Sequence, residues 1–385
     1  MAPLSDDNLA ALPILIWLYL LAARGGFWRV SRLLPRELPE GGPARKVVAV
    51  VPARNEAAVI GEAVESLLRQ RLHGAIHVIV VDDGSSDDTA GVAAAAAARL
   101  GAASSLSVIR GAPLPAGWTG KLWAMAQGVA AAGAQAPDYL LFTDADIHHD
   151  PQNVAGLVAN AEANGRDLVS YMVRLSTATL AEKCLIPAFV FFFFMLYPPA
   201  WIAASRSRTA GAAGGCMLIR PGTLARIGGL ESIRSRIIDD CALASAVKAA
   251  GGSISLGLTR TARSIRPYGS FAEIGRMISR TAFNQLHHSY ALLFLTLAGL
   301  LITYGLPPLL VLTGRPVWVT LGALAWALMS LAYRPMVRFY GLSSLWSPCL
   351  PAVASFYAAA TVYSAIEYRR GRGGRWKDRI QDLRA

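Results

Sequence analysis

The sequence predicts an α/β domain with a doubly wound sheet, attached to a membrane by apolar segments. Two observations predict this arrangement. Short apolar runs of strand length alternate with helical periods between residues 45 and 182, which is typical of α/β folds. The 385 residues are 54% hydrophobic and only 16% charged, and the apolar excess lies near residues 9–23, 185–203 and 290–366.

The first apolar segment, residues 9–23, follows Asp6 and Asp7 and precedes Arg24. It lacks the basic start of a signal peptide, so we expect an uncleaved anchor over residues 1–29, outside end first. The segment is short for a full span, which needs roughly 17–25 residues, and an interfacial amphipathic helix is the alternative. Residues 30–45 mix prolines and glycines with arginines, which predicts a linker.

Two predicted strands, residues 47–51 and 77–81, end at polar residues and are each followed by a helical period. Ligands of such sheets bind beyond the carboxyl ends of the strands. Asp82 and Asp83 lie at such an end, where a carboxylate can accept hydrogen bonds from a base or a ribose. The alternative is a turn and helix cap, in which Asp87 caps and leaves Asp82 and Asp83 available.

A third apolar run begins at Tyr139 and stops at Asp144 and Asp146. In a strand, the spacing i, i+2 puts both carboxylates on one face. Mg²⁺ is typically held by one or two carboxylates together with substrate phosphates. The pair therefore predicts a metal–diphosphate site, with solvated turn residues as the alternative.

Lys121 precedes a predicted helix that begins at Leu122. A cation at this position can bind a diphosphate, and the N-terminus of the helix adds its own attraction for anions. An ordinary exposed lysine is the alternative.

Three segments, VPARNE at 51–56, VDDGSSD at 81–87 and DAD at 144–146, together resemble family 2 glycosyltransferases with the GT-A nucleotide-diphospho-sugar transferase fold. The resemblance covers about residues 46–250. More narrowly, GWTGK at 117–121 and the C-terminal apolar segments resemble the hopanoid-biosynthesis-associated glycosyltransferases of bacteria. The resemblance implies a mixed sheet, Mg²⁺ or Mn²⁺ on Asp144 and Asp146, and a UDP-sugar held by Asp83. The substrate-binding residues are then expected to be Pro52, Arg54, Glu56, Asp82, Asp83, Lys121, Asp144, Asp239, Arg276 and Arg280.

Asp239 and Asp240 open a predicted helix over residues 241–250, where the family has Glu-Asp. The resemblance implies that Asp240 is the catalytic base, which takes a proton from the acceptor hydroxyl. Helix capping is the alternative, although Asp239 can cap and leave Asp240 available.

Arg276 and Arg280 lie one helical turn apart, so they share a face that could meet the leaving diphosphate or, alternatively, lipid headgroups. The family's Gln-x-x-Arg-Trp motif accompanies processive synthesis and is not intact here, because Thr281 follows Arg280. We therefore expect a single sugar transfer.

The apolar insert 185–203 carries no charge, and hydropathy alone predicts a span. A single crossing would separate Asp144 and Asp146 from Asp239 and Asp240, so we expect a surface-lying or re-entrant element within a catalytic domain at 46–284. The alternative is a true span without a site built from both acidic pairs.

Further transmembrane helices are predicted within residues 285–368, at 290–313, 316–333 and 342–366, with a break at 334–338 and a basic cytoplasmic tail at 369–385. Three crossings conflict with this tail under the positive-inside rule, so we expect that one segment, 342–366, does not span.

The net charge of +12 does not predict nucleic-acid binding, because the arginines cluster beside apolar segments, as anionic headgroups favour. The sequence as a whole predicts an inverting glycosyltransferase at the cytoplasmic face of a bacterial inner membrane. By resemblance, its acceptor is a hopanoid-related lipid and its partners include other enzymes of hopanoid biosynthesis. A ceramide-like or polyprenyl-phosphate acceptor, or a membrane scaffold without chemistry, are the alternatives.

Overall fold

The computed structural model describes residues 6–35, 43–376 and 379–380. Eight strands of these residues form one sheet: β1 (Arg45–Ala53), β2 (Gly74–Asp82), β3 (Leu106–Arg110), β4 (Tyr139–Phe142), β5 (Ile147–His149), β6 (Leu168–Arg174), β7 (Met217–Ile219) and β8 (Ile254–Ser264). Their order in the sheet is β3-β2-β1-β4-β7-β6-β8-β5. The first four pair in parallel, whereas β7 is antiparallel to both of its neighbours. The predicted doubly wound, mixed sheet is confirmed.

Helices cover both faces of the sheet. On one face lie α3 (Ile60–Leu68), α4 (Thr89–Arg99) and α6 (Asn153–Ala163), and on the other lie α5 (Gly120–Ala132) and α10 (Asp239–Ala249). Along β1, Val47 and Val51 pack with the first set, while Val48 and Val50 pack with the second. Because successive strand residues point to opposite faces, an uninterrupted apolar run is what a doubly covered parallel strand requires.

A helical bundle shares the core of the second face. It consists of α1 (Asp6–Ala23), α7 (Leu180–Leu196), α11 (Phe271–Gln285), α12 (Tyr290–Leu300), α13 (Leu306–Leu312), α14 (Pro316–Phe339) and α15 (Leu350–Arg369). Helix α7 holds its centre, where Phe191 contacts the ring of Tyr333 and Phe192 contacts the rings of Tyr304 and Tyr357. The edge-on geometry of these pairs adds to the apolar burial.

Within the described residues, four stretches are long and apolar enough to cross a membrane: Leu180–Ala203, Tyr290–Leu312, Pro316–Phe339 and Ser344–Arg369. The last three correspond to the three predicted C-terminal segments. The predicted break at 334–338 is wrong, because these residues continue α14 with Pro335 inside the helix. The number and direction of the crossings stay predictions.

The apolar insert 185–203 lies within α7 and the short helix α8 (Pro199–Ala203), and another short helix, α9 (Pro221–Arg226), follows β7. Strand β6 precedes it and β7 follows it, and the two strands are direct neighbours, with Leu168 opposite Ile219. A single crossing would place them on opposite sides of a membrane, which their pairing excludes. The positions of the two acidic pairs in the sequence likewise predicted that the insert does not make a single crossing.

The predicted linker, anchor and basic tail are only partly covered by the described residues. Residues 30–33 form helix α2 (Val30–Leu33), whose Val30 and Leu33 are buried in the core, so the prediction of a linker is wrong for these residues. Parts of the anchor (1–5), the linker (36–42) and the basic tail (377–378 and 381–385) lie outside the described residues. The domain division as a whole stays a prediction.

Helix α5 packs so closely on the sheet that no side chain fits at Gly128, where a Cβ would lie 2.3 Å from Cγ1 of Val50. We expect Gly128→Ala to lower the free energy of unfolding by about 1–3 kcal/mol, because overpacking forces neighbouring groups to shift. Gly133→Ala is the matched control, since Gly133 has helical dihedral angles and a Cβ there meets nothing within 4 Å. Denaturant unfolding of both variants measures the difference, and equal stability would contradict the close packing.

Candidate active site

Carboxylates from distant parts of the chain meet at one cavity of about 330 Å³ beyond the carboxyl ends of β1 and β4. Asp144 and Asp146 belong to the turn between β4 and β5, so the strand geometry predicted for this pair is wrong. The turn nevertheless presents both side chains to the cavity. The full lining is Pro52, Glu56, Thr119, Lys121, Asp144, Ala145, Asp146, Arg236, Ile237, Asp239, Arg266, Tyr268 and Arg280.

Lys121 joins two of these carboxylates. Its Nζ lies 2.8 Å from Oδ1 of Asp144 and 3.1 Å from Oδ2 of Asp239. Burial by itself lowers the pKa of the Lys121 ammonium, but the two carboxylates raise that pKa above its ordinary value. Burial also raises the pKa of Asp144, and Lys121 opposes this rise. The ammonium is therefore charged at any physiological pH, and it holds the β4–β5 turn against the start of α10.

Asp240 is partly buried beside this ion pair. Its Oδ2 accepts a hydrogen bond of 2.8 Å from the backbone N–H of Gly214, and its Oδ1 accepts one of 2.7 Å from the N–H of Cys241. A Cβ placed on Gly214 would lie 3.3 Å from Oδ2 of Asp240 and 3.4 Å from Nζ of Lys121, so both groups face this glycine. Burial, reinforced by the charge of Asp239, raises the pKa of Asp240 to about 6.

Neither aspartate occupies the N-cap position of α10, although Oδ1 of Asp240 accepts from the N–H of Cys241 in the first turn of the helix. The N-cap position of α10 is Ile238, and the structure shows no side-chain hydrogen bond there. Asp239 pairs with Lys121 instead of capping, and Asp240 is held by the two backbone N–H groups.

Arg266 is a site residue that the sequence did not reveal. Its Nε lies 3.1 Å from Oδ2 of Asp146, and its Nη2 pairs with Glu56. The pairing of β5 with β8 brings it there, since Ile147 lies opposite Ser264 and residues 265–268 continue past the Asp144–Asp146 turn. A single arginine after an antiparallel strand forms no repeated pattern or motif, so its position in the site cannot be predicted from the sequence. Tyr268, two residues on, lines the same cavity and was missed for the same reason.

Comparison with known proteins identifies the domain. Residues 48–220 match the family described as Glycosyl transferase family 2. The structure is similar to the mannosyltransferase PcManGT from Pyrobaculum calidifontis, solved with GDP-Man and Mn²⁺, with 18% identity over 92% of this chain and 98% of that chain and a TM-score of 0.54. The match assigns residues 48–220 to a family 2 glycosyltransferase domain. The predicted GT-A fold and enzyme class are thereby confirmed, whereas the narrower hopanoid-associated resemblance stays a prediction.

Glucosyl-3-phosphoglycerate synthase from Mycobacterium tuberculosis, solved with phosphoglyceric acid, is also similar, with 18% identity over 66% of this chain and 86% of that chain and a TM-score of 0.42. A search of curated proteins found no match. The range that matches the family ends at residue 220, so Asp239, Asp240 and Arg266 lie beyond it.

The glycosyltransferase domain holds the predicted donor residues at the same edge of the sheet, but only some line the cavity. Pro52 and Glu56 do, whereas Arg54, Asp82 and Asp83 do not. Arg54 donates to the carbonyl oxygen of Asp83, and its Nη1 lies 3.9 Å from the carboxylate. Oδ1 of Asp82 accepts from the backbone N–H of Ser85 at 2.9 Å. One oxygen of Asp82 therefore closes the turn after β2, and the part of Asp82 in donor binding stays a prediction.

The two predicted arginines of α11 differ in whether they reach the cavity. Arg280 lines the cavity and Arg276 does not, although both side chains lie on one half-exposed helix. A one-turn spacing puts two residues on the same face but about 5–6 Å apart, which is enough for only one to reach a small cavity.

The residues present fit a divalent cation bound together with phosphates. Asp144 and Asp146 both offer hard carboxylate oxygens to the cavity, and each already attracts a cationic side chain. Among residues 6–35, 43–376 and 379–380, no group of three or more His, Cys, Asp or Glu could hold a metal. A cation here would thus complete its coordination with donor oxygens and water, as Mg²⁺ usually does.

The double ion pair of Lys121 generates a stability prediction. We expect Lys121→Gln to lower the free energy of unfolding by about 1–3 kcal/mol near neutral pH, because two partly buried carboxylates lose their cation. Without Lys121 the pKa of Asp144 rises further, so the loss should shrink as the pH falls and this group binds a proton. Unfolding at about pH 8 and about pH 5 measures the effect.

Arg99→Gln is the control for this variant, because Arg99 pairs with Glu65 on the surface, where its side chain is 59% exposed. Such pairs contribute about 0–1 kcal/mol. A Lys121→Gln loss no larger than the control's, or one independent of pH, would contradict the role given to the ion pair.

Proposed function

We propose that this protein is a membrane-attached, inverting, metal-dependent glycosyltransferase that moves a sugar from a nucleotide-diphosphate sugar to a hydroxyl of a lipid acceptor. The observation that carries the proposal is the ion pairing of Lys121 with Asp144 and Asp239. It joins the candidate cation-binding turn to helix α10, whose second residue is the candidate base. The four apolar stretches support an acceptor that is itself lipid.

The donor would lie in the cavity with its diphosphate toward the cationic side chains of Lys121, Arg266 and Arg280. Asp144 and Asp146 would hold Mg²⁺ or Mn²⁺, and the bound cation would offset charge on the departing diphosphate. The complex of PcManGT with GDP-Man and Mn²⁺ supports this class of donor and cation. The family resemblance favours UDP as the nucleotide of this protein.

Asp240 would take the proton from the attacking hydroxyl. The two backbone N–H groups of Gly214 and Cys241 fix the plane of its carboxylate, so the acceptor meets a preset base. A carboxylate with a pKa near 6 is a stronger base than an ordinary aspartate and is still ionised at neutral pH. Attack from the face opposite the leaving diphosphate inverts the anomeric carbon.

The acceptor is proposed to be a hopanoid-related lipid at the cytoplasmic face of a bacterial inner membrane, with other enzymes of hopanoid biosynthesis as partners. This part rests on the sequence resemblance of residues 117–121 and of the C-terminal segments. A scaffold without chemistry is disfavoured, because it has no use for a cavity in which four carboxylates face four basic groups.

Lipid mass spectrometry tests the proposed function. Cells that produce the protein should contain a glycosylated lipid that is missing from cells producing the Asp146→Asn variant, which removes a candidate cation ligand. The mass difference identifies the sugar, and the fragment ions identify the acceptor. Identical lipid profiles, together with no donor hydrolysis by the purified protein in Mn²⁺, would favour the scaffold alternative.

Asp240→Asn separates catalysis from donor binding. An amide cannot accept the acceptor's proton, so we expect single-turnover transfer to fall by about 10²–10⁴-fold. Donor affinity, measured by calorimetry on the same preparation, should barely change, because the donor is assigned to other residues. Unchanged transfer would remove Asp240 from the base role, and lost donor affinity would move it into the cation site.

The pH profile of the wild-type protein is the companion measurement. Since the base must be deprotonated, the transfer rate should rise with pH and level off above about 6, the pKa to which burial raises Asp240. The residual transfer rate of Asp240→Asn should not show this rise with pH. A profile shared by both proteins would assign the titration to another group.

A further inference from the structure

The segment 265–268 is fixed at both ends, while the side chain of Arg266 lies between the two anchors. The N–H of Ile265 donates to the carbonyl oxygen of Asp146 at 2.9 Å. The N–H of Tyr268 donates to Oε1 of Glu182 at 2.6 Å, and Glu182 is fully buried at the start of α7. The backbone is therefore held, and any movement of Arg266 is a movement of its side chain.

The guanidinium of Arg266 neutralises two carboxylates of the cavity. It contacts Asp146 through Nε and Glu56 through Nη2, and its side chain is still 37% exposed. Glu56 and Asp146 are only 11% and 21% exposed, so these carboxylates have little water to replace the guanidinium. Without a positive charge nearby, the pair would carry two like charges in one partly desolvated wall.

A divalent cation on Asp146 and this arginine would compete. A Mg²⁺ or Mn²⁺ ion binds carboxylate oxygen at about 2.0–2.2 Å, and Arg266 already lies 3.1 Å from Oδ2. Two positive groups at one carboxylate repel each other, and a partly buried wall screens that repulsion poorly. An arginine released from Asp146 still faces the cavity, where its planar fork matches phosphate oxygens.

We propose that Arg266 is an exchangeable counterion: it neutralises Asp146 and Glu56 before the donor arrives and turns to the donor's diphosphate when the cation takes Asp146. This inference rests on the proposed function, in which Asp146 holds a divalent cation. It makes cation and nucleotide binding interdependent. The metal alone must displace an ion pair, whereas metal and diphosphate together give the displaced guanidinium a new partner.

Binding of Mn²⁺ alone, followed by the electron paramagnetic resonance of the free ion, tests the exchange on the full chain. Arg266→Gln removes the competitor, so its affinity for Mn²⁺ without nucleotide should increase by about threefold to tenfold. Its affinity for UDP or GDP at saturating Mn²⁺ should instead fall by about tenfold, because one phosphate contact is lost. Arg263→Gln is the matched control, since Arg263 also bridges two carboxylates, Glu62 and Asp150, but outside the cavity, and should change neither affinity.

Arg266→Lys keeps the positive charge but lacks the planar guanidinium. It should bind Mn²⁺ as the wild type does, and it should bind nucleoside diphosphate more weakly. It provides the test if Arg266→Gln does not fold, and unchanged nucleotide affinity in this variant would overturn the proposal. Unchanged or weaker Mn²⁺ binding by a folded Arg266→Gln would also overturn it, because Arg266 would then only position Asp146.

Asp146→Asn separates failure of this inference from failure of the proposed function. If Asp146→Asn loses Mn²⁺ binding while Arg266→Gln matches the wild type, the counterion role alone is wrong. If Asp146→Asn binds Mn²⁺ as the wild type does, the cation site assigned in the proposed function is wrong, and the exchange fails with it.

Discussion

One ammonium group, that of Lys121, holds the two halves of the cavity together. Its side chain is only 20% exposed, and the carboxylates at 2.8 and 3.1 Å come from the β4–β5 turn and from α10. A cation removed from water is stable only where its partners are close and correctly placed. The start of α5, the turn and the start of α10 must therefore take up their positions together. A backbone hydrogen bond of 2.8 Å from Thr119 to the carbonyl oxygen of Arg234 also links the start of α5 to the segment that precedes α10.

The same principle of paired charges explains the opposite wall. Here Arg266 balances Glu56 and Asp146, and the pairing of β5 with β8 delivers it. The two walls resemble each other: each joins a carboxylate of the Asp144–Asp146 turn to a second carboxylate through one basic side chain. A turn that is charge-balanced on both sides can stay folded without a ligand.

Sequence patterns predicted what repeats with a fixed period and missed what depends on distant pairing. The apolar runs predicted β1, β2 and β4. The order of the carboxylate motifs predicted that Asp144 and Asp239 share one site, and both line the same cavity. The contacts of Asp240 and of Arg266 could not be predicted, because they arise from the 204–216 loop and from an antiparallel strand far along the chain. The engagement of Asp82 with Ser85 was also missed, since a turn residue and a ligand residue look identical in sequence.

The buried carboxylate of Glu182 ties the helical bundle to the cavity. Oε2 accepts from the N–H groups of Ala178 and Thr179, at 2.7 and 2.9 Å, while Oε1 accepts from Tyr268. One side chain thus caps the start of α7 and anchors the segment that carries Arg266. A buried charge needs all of its partners, so α7 cannot shift relative to the cavity without leaving donors or the carboxylate unsatisfied. The apolar bundle is therefore part of the framework of the site, and a change in the packing of α7 reaches the position of Arg266 through hydrogen bonds alone.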